Sequence, residues 1–279
     1  MTPELIVLDV DGTSVGRDQI VPADLVDVLR ELASQGIWIT LATGRNLTET
    51  VPVWRQLDLG DRAAPLITNG GAIVSEAATQ RTLYQKSIAP AMAREFSEAL
   101  SARGLSTAAN VDRWRSDFDI LAVPSDNYVR TKSCWFDRMD KLVIREMAEL
   151  DTSSPNSPDV LRINAVLPEQ DGDAITQELA QEFAGRLDIH AINAPNYGVF
   201  FLEAFAPGSN KWAAVQYIAQ GLRLGPAAIC TAGDDINDLP MIVGAGMGLA
   251  MPTAPDSVKT AANATVETTL ADALRPWVA

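Results

Sequence analysis

Four short apolar runs, residues 5–8, 37–42, 66–68 and 227–231, carry no polar alternation, and each stops abruptly in a cluster of polar residues. Strands of that texture belong to a parallel sheet covered by helices on both faces. Between the first two runs, Leu25, Val28, Leu29 and Leu32 recur at helical spacing and Gly36 follows as a stop, predicting a βαβ unit with a right-handed crossover. After the third run, Asn69 and Gly70 mark a turn into a return strand at 72–74. A helix over 211–220, capped by Ser209 or Asn210 and stopped by Gly221, leads into the fourth run. The pattern therefore starts, breaks and resumes. It predicts an α/β fold: a doubly wound, Rossmann-like parallel-sheet core from residues 1–80 and 205–279, interrupted by an insert at 81–204. Within the insert, "LRINAVL", the amphipathic "DAITQELAQEFAGRL", "DIHAIN" and "GVFFLEAF" form a β-α-β-β succession, the mark of a separate α+β module, and "DTSSPNSPD" reads as a surface loop.

The charge balance narrows the partners. Lys and Arg number 22 against 36 Asp and Glu, a net charge of −14, which argues against nucleic acid and anionic membrane surfaces. No apolar stretch is long enough to span a bilayer. Cys134 and Cys230 lie far apart behind a start without signal-peptide character, so a reducing cytoplasmic setting is expected, with Cys230 as a small core residue. The single histidine, His190, has no second ligand nearby and reads as an ordinary strand residue rather than a triad or zinc member. No G-x-S-x-G, HExxH, CxxC or GK[ST] occurs, and "GAGMGLAM" lacks the third glycine of a dinucleotide loop. Nothing in the sequence speaks to oligomeric state.

Ligands of an open parallel sheet bind beyond the carboxyl ends of its strands. Those ends carry Asp9, Asp11, Gly12 and Thr13; Thr43, Gly44 and Arg45; Asn69 and Gly70; and Asp234, Asp235, Asn237 and Asp238. Two unit charges about 4 Å apart repel by about 4 kcal/mol at an effective dielectric of about 20, so so many carboxylates on one edge require protonation or a cation. All-oxygen ligands favour a hard divalent ion, and Mg²⁺ shares carboxylates with a substrate phosphate. Lys211, at a predicted helix start, and the Thr43 hydroxyl suit phosphoryl oxygens, and a carboxylate such as Asp9 is able to attack phosphorus.

Taken singly, each motif has a plain structural reading. "DVDGT" makes a turn, "TGR" ends many strands, "GDDINDLPM" suits a helix N-terminus, and Asn69 to Gly71 suit a tight turn. An EF-hand is excluded, since Gly12 is fourth from Asp9 rather than sixth. Their joint placement, in order at strand ends and helix starts, argues for one site. Trp114, Arg115 and Trp135 of the insert read as core or surface residues.

"DVDGT", "TGR", "GSNKWAAV" and "GDDINDLPMI" together resemble the four motifs of the haloacid dehalogenase superfamily, in the order found in its Cof-type, sugar-phosphatase-like branch, and the likeness extends to "AGMGLAMPTAPDSVKTAANATV". The resemblance implies a large α/β cap between the second and third motifs, with substrate selectivity in cap residues that no motif marks. It implies Asp9 as nucleophile and Asp11 as general acid and then base. Thr43 and Lys211 would bind the phosphoryl group, with Gly12, Thr13, Gly44, Arg45, Asn69, Gly70 and Asn237 around phosphate and substrate. Mg²⁺ would be held by Asp9, the Asp11 carbonyl and Asp234, with Asp238 orienting a bound water or Lys211, and Asp235 an exposed bystander. Ser14, Trp212 and "MPTA" depart from the usual pattern without touching the motif carboxylates. The activity so implied is hydrolysis of a small phosphorylated metabolite, a sugar phosphate by default, through an aspartyl-phosphate. A phosphomutase, or a non-catalytic switch phosphorylated on Asp9, is the alternative.

Overall fold

The computed structural model describes residues 2–123, 142–154, 156–168, 171–194 and 199–278. Cys134 and Trp135 lie outside them. In chain order, β1 (Leu5–Leu8), α1 (Ala23–Ser34), β2 (Trp38–Leu41), α2 (Leu47–Leu57), β3 (Leu66–Thr68), β4 (Ile73–Ser75) and β5 (Thr82–Gln85) come first. Then follow α3 (Pro90–Ala102), β6 (Thr107–Val111), β7 (Ile120–Val123), β8 (Ile144–Glu146), β9 (Val160–Leu167), α4 (Gly172–Glu182), β10 (Asp188–Ala194) and β11 (Val199–Phe205). The chain closes with α5 (Lys211–Leu222), β12 (Ile229–Gly233), α6 (Leu239–Gly244), β13 (Met247–Ala250), α7 (Asp256–Ala261), β14 (Ala264–Thr265) and α8 (Leu270–Leu274).

Two compact units result, one from Met1–Tyr84 with Asn210–Ala279 and the other from Gln85–Ser209. In the discontinuous unit the strands are ordered β14-β13-β12-β1-β2, all parallel, and the bridges Ile39↔Ala63 and Ala42↔Ile67 carry the same direction on to β3. Ile6 and Leu8 face a core with Leu25, Leu29 and Leu32 of α1 and Leu270 and Leu274 of α8. Leu5 and Val7 face Ala214, Val215 and Ile218 of α5. Both sides of β1 are thus covered, which is why its sequence shows no polar alternation. Cys230 is a buried residue of β12, and burial pushes its thiol up to about 12, so it is an inert packing group.

The inserted unit is a six-stranded sheet ordered β10-β11-β9-β6-β7-β8, antiparallel except for β7 against β8. Phe96 of α3 and Phe183, just after α4, meet edge to face at 4.9 Å over one sheet face, with Ile163, Ala165 and Leu202 beneath. The opposite face carries Ala108, Ile120, Leu142 and Phe201 beside buried Arg162, Asn164 and Glu203. His190 is a half-exposed β10 residue stacked on Phe205.

Several expected boundaries move. The units meet at 84/85 and 209/210 instead of 80/81 and 204/205. β5 completes a three-stranded sheet with β4 and β3, and β11 stays paired with β9 and β10 through Phe205. The return strand starts at Ile73 because Asn69–Gly71 form a 3₁₀ turn closed by the Ala72 N–H to the Asn69 carbonyl. Gly221 does not stop α5; the stop is Arg223 in the left-handed region (φ 61°), with the Leu224 N–H bonded back to the Ala219 carbonyl. No helix among the described residues is long and apolar enough to cross a membrane.

Candidate active site

The parallel register sets strand ends side by side: Leu8 pairs with Leu41 and with Ala232, so the residues that follow each strand emerge together. Asp9 is anchored by its N–H to the Ala232 carbonyl, and its carbonyl accepts the buried Ser14 hydroxyl at 2.5 Å. The chain then turns through Gly12 at φ +79°, where a Cβ would come within 2.1 Å of the Asp234 carboxylate. Only glycine permits both the turn and that approach. Thr13 donates to Asp234 Oδ1 at 3.3 Å.

The β2 and β3 ends are tied to each other. Thr43 N–H bonds the Ile67 carbonyl, Gly70 N–H the Thr43 carbonyl and Asn69 N–H the Arg45 carbonyl. Thr43 Oγ1 accepts the Arg45 N–H at 3.1 Å, Gly44 is half-buried in this loop, and Asn46 caps α2 in a reciprocal box with Glu49. Gly71, at φ +97°, lies against the Asn210–Lys211 backbone, where a Cβ would meet the Asn210 carbonyl at 2.2 Å.

Asn210, not Ser209, caps α5 by accepting the Ala213 N–H at 2.9 Å, which makes Lys211 the first residue of the helix. The Lys211 ammonium is 1% exposed and reaches Asp9 Oδ1 and Asp238 Oδ1, each at 2.5 Å. Asp238 Oδ2 accepts the Asp234 and Asp235 N–H groups at 3.0 and 3.1 Å. Asp238 therefore orients Lys211 and folds the loop around itself. Asp235 is no bystander: it accepts the Ile236 N–H and shares a capping box with Asp238. Trp212 has a structural counterpart in Gly244, where a Cβ would come within 2.3 Å of the indole.

Asp9, Asp234 and Asp238 each offer a carboxylate oxygen, and these atoms lie within 4.8 Å of one another. Burial, opposed by Lys211 and reinforced by Asp238 and Asp234, raises Asp9 well above the usual carboxylate range. Burial and then Asp238 push Asp234 up to about 7. Burial works against the charge on Lys211, but Asp238 and Asp9 outweigh it and hold the ammonium well above its ordinary value. Three carboxylates around one ammonium leave surplus negative charge on hard oxygen donors, a set that fits a divalent cation such as Mg²⁺.

Arg45 does not stand open to a ligand. Its Nε donates to Asp11 Oδ2 at 2.7 Å and its Nη2 to Asp11 Oδ1 at 2.5 Å. Asn237 and Asn69 present side-chain Oδ1 atoms that are buried and without a hydrogen-bond partner. Ser14, Gly71 and Gly233, where a Cβ would strike Asp238 at 2.4 Å, are supports that the sequence reading left out. "NGG" was the visible signal for Gly71; nothing marked Ser14.

A family model for haloacid dehalogenase-like hydrolases matches residues 6–275, and the chain belongs to that family. It is an enzyme of this hydrolase class. The chain is 23% identical over 279 residues to 5-amino-6-(5-phospho-D-ribitylamino)uracil phosphatase YcsE of Bacillus subtilis (strain 168), covering 99% of this chain and 96% of that one. Its fold is similar to that of a haloacid dehalogenase-like hydrolase from Bacteroides thetaiotaomicron (TM-score 0.78, 24% identity, 99% of both chains). It is also similar to the subclass IIB sugar phosphatase BT4131 (TM-score 0.77, 18% identity, 98% of both chains).

Proposed function

We propose that this chain is a Mg²⁺-dependent phosphomonoesterase acting on a small phosphorylated metabolite, with a sugar phosphate as the default substrate class. The observation that carries the reading is the buried Asp9 carboxylate, held at 2.5 Å by Lys211 at the carboxyl edge of the parallel sheet. An Asp9 oxygen attacks phosphorus, the bond from phosphorus to the leaving oxygen breaks, and Asp11 gives that oxygen its proton. Asp11, now a carboxylate, takes a proton from water as the water oxygen attacks the aspartyl-phosphate, which releases inorganic phosphate and restores Asp9. Thr43 and Lys211 hold the phosphoryl oxygens, and Asn69 and Asn237 supply further polar contacts. Asp9, Asp234 and the Asp11 carbonyl would hold Mg²⁺, which when bound offsets the negative charge of carboxylates and phosphate. The inserted unit supplies substrate selectivity.

The test is phosphate release from a panel of small phosphate esters, with Mg²⁺ and with EDTA, for the parent and Asp9→Asn. Metal-dependent turnover that falls by at least about 10³-fold in the variant is expected. Isomerisation of a sugar phosphate without net phosphate release would reassign the chain as a mutase. A folded protein that turns over no ester would point to a phospho-aspartate switch.

A further inference from the structure

We infer that Arg45 is a positioning residue for Asp11, an inference that rests on the phosphatase reading and deepens it. Two nitrogens of its guanidinium meet both oxygens of the Asp11 carboxylate in a parallel fork, at 2.7 and 2.5 Å, the geometry in which arginine fixes the plane of a carboxylate as well as its distance. The two partners sit in unlike settings. The Arg45 side chain is 9% exposed and that of Asp11 30% exposed. Asp11 stands on a turn opened by Gly12 at φ +79°, where a short side chain samples several staggered rotamers unless something holds it.

Arg45 is held from three directions. Its N–H bonds Thr43 Oγ1, its carbonyl accepts the Asn69 N–H at 2.7 Å, and the next residue, Asn46, is the capping residue of α2. The rigid partner thus orients the exposed one. The two cations of this sheet edge divide the work: Lys211 serves Asp9 and Asp238, and Arg45 serves Asp11. This differs from a role for Arg45 in gripping the phosphoryl group, and the two roles have separable kinetics. Proton donation matters for an alkoxide leaving group and little for a nitrophenolate, whereas the phosphoryl group is common to every ester.

The experiment compares kcat/KM for p-nitrophenyl phosphate and for an alkyl ester, glycerol 3-phosphate or a hexose 6-phosphate, in the parent, Arg45→Ala, Arg45→Lys, Asp11→Asn and the Arg45→Ala/Asp11→Asn double variant. Arg45→Ala is expected to lose about 10- to 100-fold on the alkyl ester and no more than about 3-fold on the nitrophenyl ester. Arg45→Lys keeps the charge but not the fork, and retains most of that deficit. In the Asp11→Asn background the arginine substitution adds no further loss beyond about 2-fold. Equal losses on both esters, full rescue by lysine, or additive losses in the double variant would each overturn the inference. If Arg45→Ala fails to fold, the leaving-group ratio of Arg45→Lys decides. Asp9→Asn run alongside separates the two levels: turnover surviving in it sinks the phosphatase reading itself, whereas a dead Asp9→Asn with equal losses at Arg45 sinks only this inference.

Discussion

The parallel sheet of the discontinuous unit and the antiparallel sheet of the inserted unit each bury a cation against carboxylate, by different geometry and with different charge balance. At the carboxyl edge of the parallel sheet, one ammonium faces three carboxylates contributed by two strand ends. In the middle of the antiparallel sheet, Arg162 of β9 meets Glu203 of β11 at 2.7 Å, one charge against one, with side chains 10% and 6% exposed. The first cluster has charge left over, so it is a place for chemistry and for a further cation. The second is neutral as a pair and belongs to the architecture of its sheet, although Arg162 Nε, Asn164 Oδ1 and Asn110 Nδ2 around it remain buried without hydrogen-bond partners. Burial of ions alone does not mark a reaction centre. Surplus of one sign at a sheet edge does.

The largest way to break this contrast is Lys211→Met. It leaves Asp9 and Asp238 buried beside each other without their shared ammonium, and a loss of about 3–5 kcal/mol in denaturant unfolding is expected, with phosphate release down by more than about 10²-fold. Restoring an apolar pair is no remedy there, because Asp234 remains. Arg162→Met by itself is expected to cost about 3 kcal/mol by the same measurement, and adding Glu203→Leu should recover most of that loss, since both charges then go together. Failure of the double variant to recover would show that Glu203 is needed for something besides this pair.

The smallest effect sharpens the surplus-charge argument through pH. Asp234 moves from about 3.9 unfolded to about 7 folded, and Asp9 moves the same way. The folded protein therefore binds more protons across that window, and the stabilisation, complete below about pH 4, drains away as pH rises through about 7. Metal-free protein should show a Tm that falls from about pH 5 to about pH 8, and Mg²⁺ should raise the Tm more at the higher pH, where the carboxylates are ionised. Equal Mg²⁺ shifts at both pH values would contradict the assignment of these carboxylates to a metal.

What was legible in the sequence follows from the same contrast. A parallel strand ends once, so the polar residues after "LIVL" and "ICTAG" had to emerge at one edge, and Asp9, Asp234 and Asp238 were visible before any coordinates. Lys211 was visible because a helix start is written locally in Ser, Asn and Gly. The partner of Arg45 was not: "TGR" marks a strand end, but which carboxylate the guanidinium reaches depends on the Gly12 turn and the Asn69 tether. Arg162 and Glu203 were silent because antiparallel register, which sets Arg162 opposite Phe205 and Asn164 opposite Glu203, is a property of two strands together. The boundary at 205 failed for a related reason, since nothing in "FFLEAF" announces how long it stays paired.

β1 lies between β2 and β12, with Leu5 paired on one side to Trp38 and on the other to Ile229. During synthesis the amino-terminal strand has one neighbour early and must wait for most of the chain to leave the ribosome before it gains the other. Contacts so distant in the chain carry a heavy loop-closure cost and form slowly. The intervening residues emerge as one continuous stretch and are free to fold first, which shortens the loop that remains to be closed. Asp9 and Lys211, 202 positions apart, are joined only at that last step. The nascent chain therefore carries its nucleophile from the start and acquires a working centre only when nearly complete.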